Sequence, residues 1–163
     1  MRRTWAPKGR TPVIQSTGSW KTRTALGMIS STPAGRNPRF FLKIKKGAAR
    51  SKDMLGILKH IRRHITKRIF LLWDGLPAHR SKMVKEFLKA NKARFSVFRF
   101  PAYAPELNPV EYLWSASKSR DFANFCPKTT KELEQKIRRS GQRMRRNPDL
   151  LKGFLKKSGL FYS

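Results

Sequence analysis

Acidic residues are scarce in this chain: 9 Asp and Glu stand against 38 Lys and Arg among 163 residues, a formal charge of +29. A surface so one-sided repels itself unless a polyanion screens it, and nucleic acid is the usual polyanion. Cysteine is nearly absent. Cys126 alone excludes a disulfide framework, and three scattered histidines beside one cysteine exclude a structural zinc site. No apolar run approaches the ~18 residues of a membrane span, and Met1-Arg2-Arg3 is not followed by a signal-peptide stretch. These absences lead us to expect a soluble, cytoplasmic protein with no membrane partner. Aromatics are not scarce: 11 Phe, 4 Trp and 3 Tyr with 39% hydrophobic residues argue for a folded core. The length suits one domain, since domains usually run to about 100–200 residues.

The bases are interleaved with apolar residues at 43–46, 59–68 and 138–146, which fits a folded basic surface better than a disordered arm. Candidate DNA contacts are Lys59, Arg62 and Arg63, and in the later cluster Arg138, Arg139, Arg143, Arg145 and Arg146. Charge supplies affinity without sequence preference, so it cannot choose between an enzyme and a non-catalytic nucleic-acid-binding protein. That choice falls to the acids.

Hydrophobic periodicity organises the chain as α/β with a helical C-terminal end, as a core over 1–127 and a helical segment over 128–163 of one domain. Residues 1–10 are basic and irregular, and 11–15 can form a short strand. A strand signal over 19–31 and an alternating stretch over 39–45 flank a Pro- and Gly-containing turn at 32–38, so an antiparallel hairpin with one solvated face is expected. Residues 51–65 carry Met54, Ile57, Leu58, Ile61 and Ile65 at helical spacing, with Ser51 as N-cap. The run Ile69-Phe70-Leu71-Leu72-Trp73 reads as a strand buried on both faces. A helix over 81–91 and a strand over 94–100 complete a βαβ unit. After a loop over 101–109, Asn108-Pro109 starts a helix with Val110, Leu113, Trp114 and Ser117 on its buried stripe. Two further helices follow over 129–144 and 147–157.

Each acid can then be weighed. Asp74 ends an apolar strand, where α/β sheets bind ligands, although Asp-Gly is also a common turn. Glu111 stands at capping-box spacing from Asn108 and could simply bond to its own helix start. Asp53 suits a helix N-terminus. Glu106, Asp121, Glu132, Glu134 and Asp149 read as surface or helix-end residues, and a lone His79 is more often structural than chemical.

Two stretches resemble a known family. Leu71-Leu72-Trp73-Asp74-Gly75-Leu76-Pro77-Ala78-His79-Arg80-Ser81 and Phe100-Pro101-Ala102-Tyr103-Ala104-Pro105-Glu106-Leu107-Asn108-Pro109-Val110-Glu111-Tyr112-Leu113-Trp114 look like the second and third acidic motifs of DDE transposases. The nearest likeness is to the bacterial insertion-sequence group related to mariner elements, which the 37-residue separation of Asp74 and Glu111 suits. Thr4-Trp5-Ala6-Pro7-Lys8-Gly9 and Ala123-Asn124-Phe125-Cys126-Pro127 are similar to it as well. The resemblance implies an RNase H-like fold, a mixed sheet flanked by helices. It also implies Asp74 and Glu111 as catalytic carboxylates ligating Mg²⁺ or Mn²⁺, with His79 and Asn108 as active-site neighbours. Hard divalent cations prefer such oxygen donors, and two of them can activate a nucleophile and stabilise a leaving oxygen. DNA strand cleavage and strand transfer would then be the same displacement with different nucleophiles.

The family uses three carboxylates, the first on a strand just before the Thr-Trp-Ala-Pro segment, which here begins at Thr4. We therefore expect an N-terminally truncated catalytic domain whose first, central strand is missing, inactive alone and binding metal weakly. Expected partners are transposon ends and target DNA, with a homodimer or an upstream transposase fragment completing the assembly, in a bacterial, nucleoid-associated setting. The alternative is a basic nucleic-acid-binding protein whose acids serve caps and turns.

Overall fold

The computed structural model describes residues 8–10 and 22–160. The strand expected at 11–15 and most of the 4–9 motif lie outside them. The chain divides into two compact units, Met1–Gly47 with Pro109–Ser163, and Ala48–Asn108.

In the first unit, β1 (Arg23–Ser30) and β2 (Arg39–Lys46) form the expected antiparallel hairpin, registered from Arg23↔Lys46 to Ser30↔Arg39. Its turn is closed at Thr32, whose backbone O accepts from Gly35 N–H at 2.9 Å and whose Oγ1 accepts from Arg36 N–H at 3.0 Å. Three helices share this unit: α3 (Pro109–Ala116), α4 (Thr130–Arg145) and α5 (Pro148–Lys157). Their starts follow the capping logic of the sequence. Thr129 accepts from the Glu132 N–H, Asn147 from the Leu150 N–H, and a proline occupies the first position of α3 and of α5. Phe40, Leu113, Met144 and Leu151 form the core, with Ile29, Leu42, Trp114 and Phe154 packed against it. Gly27 is what lets α3 come so close to the sheet. A Cβ there would lie 2.6 Å from the Trp114 ring and 3.1 Å from Phe40.

The second unit contains α1 (Ser51–His64), β3 (Ile69–Trp73), α2 (Lys82–Ala90) and β4 (Phe95–Arg99). β3 and β4 pair in parallel, from Ile69↔Phe95 to Trp73↔Arg99, as the βαβ reading requires. Helix α1 buries Met54, Leu58 and Ile61 and leaves Lys59, Arg62 and Arg63 exposed. Its N-cap is Arg50, not Ser51: the Asp53 carboxylate reaches back to accept from the Arg50 N–H at 2.9 Å, so the acid serves the helix start that a hydroxyl was expected to serve.

One expectation fails here. β3 is not buried on both faces. Ile69 and Leu71 are buried, but Phe70 is 56% exposed and Leu72 41%, and Phe98 beside them on β4 is 51% exposed. The Phe70 and Phe98 rings stack at 6.2 Å on that open face. An apolar run without alternation cannot say which of its faces other elements cover. Among the described residues the strands thus belong to two two-stranded sheets, one antiparallel and one parallel.

Candidate active site

Asp74 follows the last residue of β3, with its carboxylate 46% exposed. Three contacts fix it. Oδ1 accepts from the Leu76 N–H at 3.2 Å, the short Asx turn that an Asp-Gly step favours. His79 brings Nδ1 to 3.0 Å from Oδ1 and 3.1 Å from the Asp74 backbone O, so that nitrogen carries the proton and donates. The imidazole in turn stacks on Trp73 at 4.3 Å and 5° and is only 11% exposed. The chain between them is folded into a 3₁₀ turn (Pro77–Arg80), and Arg80 Nε ties it back to the Gly75 carbonyl at 3.0 Å. His79 is therefore structural in a specific sense: it orients Asp74.

Glu111 lies in the first turn of α3 and is exposed. The Asn108 N–H, which a capping glutamate would take, donates to the Pro105 O at 3.0 Å. Glu111 opens onto a groove of about 440 Å³ that runs along α3 past Trp114, Ser115, Lys118, Ser119 and Phe122 to Asn124. Asn108 immediately precedes α3 and belongs to the other unit, as does Asp74.

Beyond the acid, α3 widens into a π turn over Ser117–Asp121, where Phe122 N–H bonds to Ser117 O at 3.0 Å. Such bulges occur frequently at functional sites. It turns Ser117 inward to Ser140 at 3.2 Å and aims Asp121 at α4. There Arg143 clamps the carboxylate with Nε at 3.1 Å and Nη2 at 2.8 Å, and Ser140 Oγ donates at 2.5 Å. Burial pushes the Asp121 carboxyl up, but the Arg143 and Ser140 hydrogen bonds and the Arg143 and Arg120 charges outweigh it and hold it below 3.8. Asp121, expected on the surface, is thus a packed ion pair. Glu134 is another correction, paired with a largely buried Arg23. Neither partner is visible in the letters, because both pairs join positions far apart in sequence.

The basic candidates divide accordingly. Lys59, Arg62, Arg63, Arg138, Arg139, Arg145 and Arg146 are exposed, and Arg62 also donates to Asn91 Oδ1 at 2.5 Å. Arg143 is committed to Asp121, and Arg145 donates to the Phe40 carbonyl at 3.1 Å.

Half-buried Asp74 and exposed Glu111 each offer carboxylate oxygens, the donors that a hard divalent cation prefers. Among the described residues no group of three or more His, Cys, Asp or Glu gathers to hold one. No described helix is long and apolar enough to cross a membrane.

Strand, helix and parallel strand, with an oriented aspartate after the first strand and a hairpin packed under later helices, define an RNase H-like α/β fold. The chain belongs to the DDE superfamily endonucleases, whose family model matches residues 1–134. A search of curated proteins found no match. Among solved structures it resembles the Mos1 strand transfer complex, with a TM-score of 0.57 and 13% identity over 99% of this chain and 51% of that one. It also resembles the Mos1 mariner paired end complex with Mn (0.56, 13%, 99% and 52%). The third is the Mos1 transposase catalytic domain with Raltegravir and Mg (0.54, 15%, 86% and 78%). The chain spans about half the length of the transposase chains in the first two.

Proposed function

We propose that this chain carries part of a transposase catalytic centre of the mariner-related kind, in which Asp74 and Glu111 jointly hold Mg²⁺ or Mn²⁺ for DNA strand cleavage and strand transfer. The observation that carries the reading is Asp74 itself. It stands at the carboxyl end of a parallel strand, oriented by His79 and the Leu76 N–H, in a chain of the DDE endonuclease family. Bound metal supplies charge for activating a nucleophile and stabilising the leaving oxygen. The chain's own residues do the positioning: His79 and the Asx turn hold the Asp74 carboxylate, and the first turn of α3 presents Glu111.

Residues 1–163 offer two acids where the family resemblance calls for three, so this polypeptide by itself should bind metal weakly and nick DNA little. Its substrates in this reading are transposon ends and target DNA, acted on in a paired assembly formed with a second copy or an upstream transposase fragment. The setting is a bacterial nucleoid carrying an insertion sequence. A basic, non-catalytic DNA-binding protein is the second reading, favoured by the lack of any three-residue ligand cluster among the described residues.

Mn²⁺ titration followed by electron paramagnetic resonance separates the two. Asp74→Asn and Glu111→Gln should each weaken binding, and the double variant should lose no more than the stronger single, because groups sharing one ion are strongly coupled. Independent, additive effects, or none, would leave the non-catalytic reading standing. Robust Mg²⁺-dependent nicking by the 163-residue chain, abolished by Asp74→Ala, would show that two acids suffice.

A further inference from the structure

We propose that the groove along α3 seats an unpaired nucleotide of the DNA strand, its base against Trp114 and Phe122 and its phosphate at Lys118. The inference rests on the reading of Glu111 as a site residue that faces DNA. The groove's volume of about 440 Å³ lies within the ~300–1,000 Å³ range of small-ligand clefts and is too small for a duplex. Its lining is mixed in a particular way. Trp114 and Phe122 line it, the Trp114 ring also packing on Gly27 and Phe40, together with Lys118 and Asn124, a cation and an amide that lie beyond Glu111 along the chain.

Aromatic walls recognise bases only when the base face is free, because paired and stacked bases hide theirs. A groove of rings with a lysine at its mouth therefore matches single-stranded rather than duplex DNA. Glu111 repels phosphate at its own end, which sends the phosphate to Lys118. Those two positions are seven residues apart on one continuous helical run, hence about 10 Å along the axis at ~1.5 Å per residue. At the ~3.4 Å rise of a stacked strand this is about three nucleotides. The groove would thus hold the strand's phosphate a short, fixed distance from Glu111. Its wall is rigid because the π turn is pinned to α4 by the Asp121–Arg143 pair and the Ser117–Ser140 contact.

Fluorescence anisotropy of the 163-residue chain in EDTA, with a labelled oligo-dT and a labelled duplex of equal length, tests this without metal. Lys118→Glu should weaken oligo-dT binding at least ~5-fold and weaken duplex binding clearly less, as expected if a stacked base is lost with its phosphate. Arg139→Glu, the same charge change at an exposed base on α4, should lower both ligands alike. Phe122→Leu should repeat the oligo-dT-selective loss without altering charge. Equal losses on both DNAs from Lys118→Glu and Arg139→Glu, with Phe122→Leu inert, would overturn the proposal. EDTA removes the divalent ion from every arm, so a failed Mn²⁺ titration leaves this result unmoved, and the reverse holds too.

Discussion

At the scale of single residues, the site turns on how Asp74 is held. Its position is legible in the letters because an unbroken apolar strand stops at it, and a carboxylate there needs a reason. His79 is less legible: a histidine five residues on carries no periodicity, and its role depends on a loop that folds it back over Trp73. His79→Phe keeps a flat ring to stack on Trp73 and removes the nitrogen that donates to Asp74. Orienting partners of metal ligands are typically worth about 10–100-fold in metal affinity. We expect Mn²⁺ binding to weaken by that order while the thermal midpoint moves little. A large fall in the midpoint with unchanged Mn²⁺ affinity would make His79 a packing residue only.

At the scale of elements, two contacts join the helix bearing Glu111 to its surroundings, and each makes a prediction. Gly27 leaves room for the Trp114 ring, which cannot fold away as a flexible chain would. Gly27→Ala should therefore cost about 1–3 kcal/mol, the usual penalty of overpacking, read as a drop of several degrees in the thermal midpoint. Gly153→Ala in α5 meets nothing within 4 Å and should instead gain up to about 1 kcal/mol from helix propensity. The second contact is the Asp121–Arg143 clamp. Because the folded carboxyl lies below its unfolded value, its stabilisation is complete above about pH 4 and is lost as pH falls through the folded value. Asp121→Asn should melt lower than the parent at neutral pH, and the gap should close on acidification below pH 4. A gap that persists at pH 2 would mean that packing, not charge, is what the substitution removes. The helices and the hairpin were open to reading from periodicity and caps. The clamp was not, since no local pattern links a residue in a π turn to one on the next helix.

At the scale of the whole molecule, +29 on 163 residues demands a polyanion, and this much was legible from composition alone. Composition could not apportion the bases. Arg143 is half-buried on Asp121 and Arg62 donates to Asn91 Oδ1, whereas Lys59, Arg63, Arg138, Arg139 and Arg146 are exposed, as is Arg145 beyond its bond to the Phe40 carbonyl. If six to ten phosphates are neutralised, duplex affinity should fall about 10³–10⁵-fold between 50 and 200 mM salt, because each contact releases a condensed counterion. Replacing exposed Lys59 and Arg63 with Gln should shallow the log–log salt slope by up to about two, one contact per charge removed. Arg143→Gln should leave that slope unchanged, since its guanidinium is half-buried and clamped on the Asp121 carboxylate. Titrations of the three proteins against one duplex decide the matter. A parent slope near zero would detach the charge from DNA altogether, and an Arg143→Gln slope as shallow as the double variant's would show that the clamp on Asp121 does not remove a cation from the binding surface.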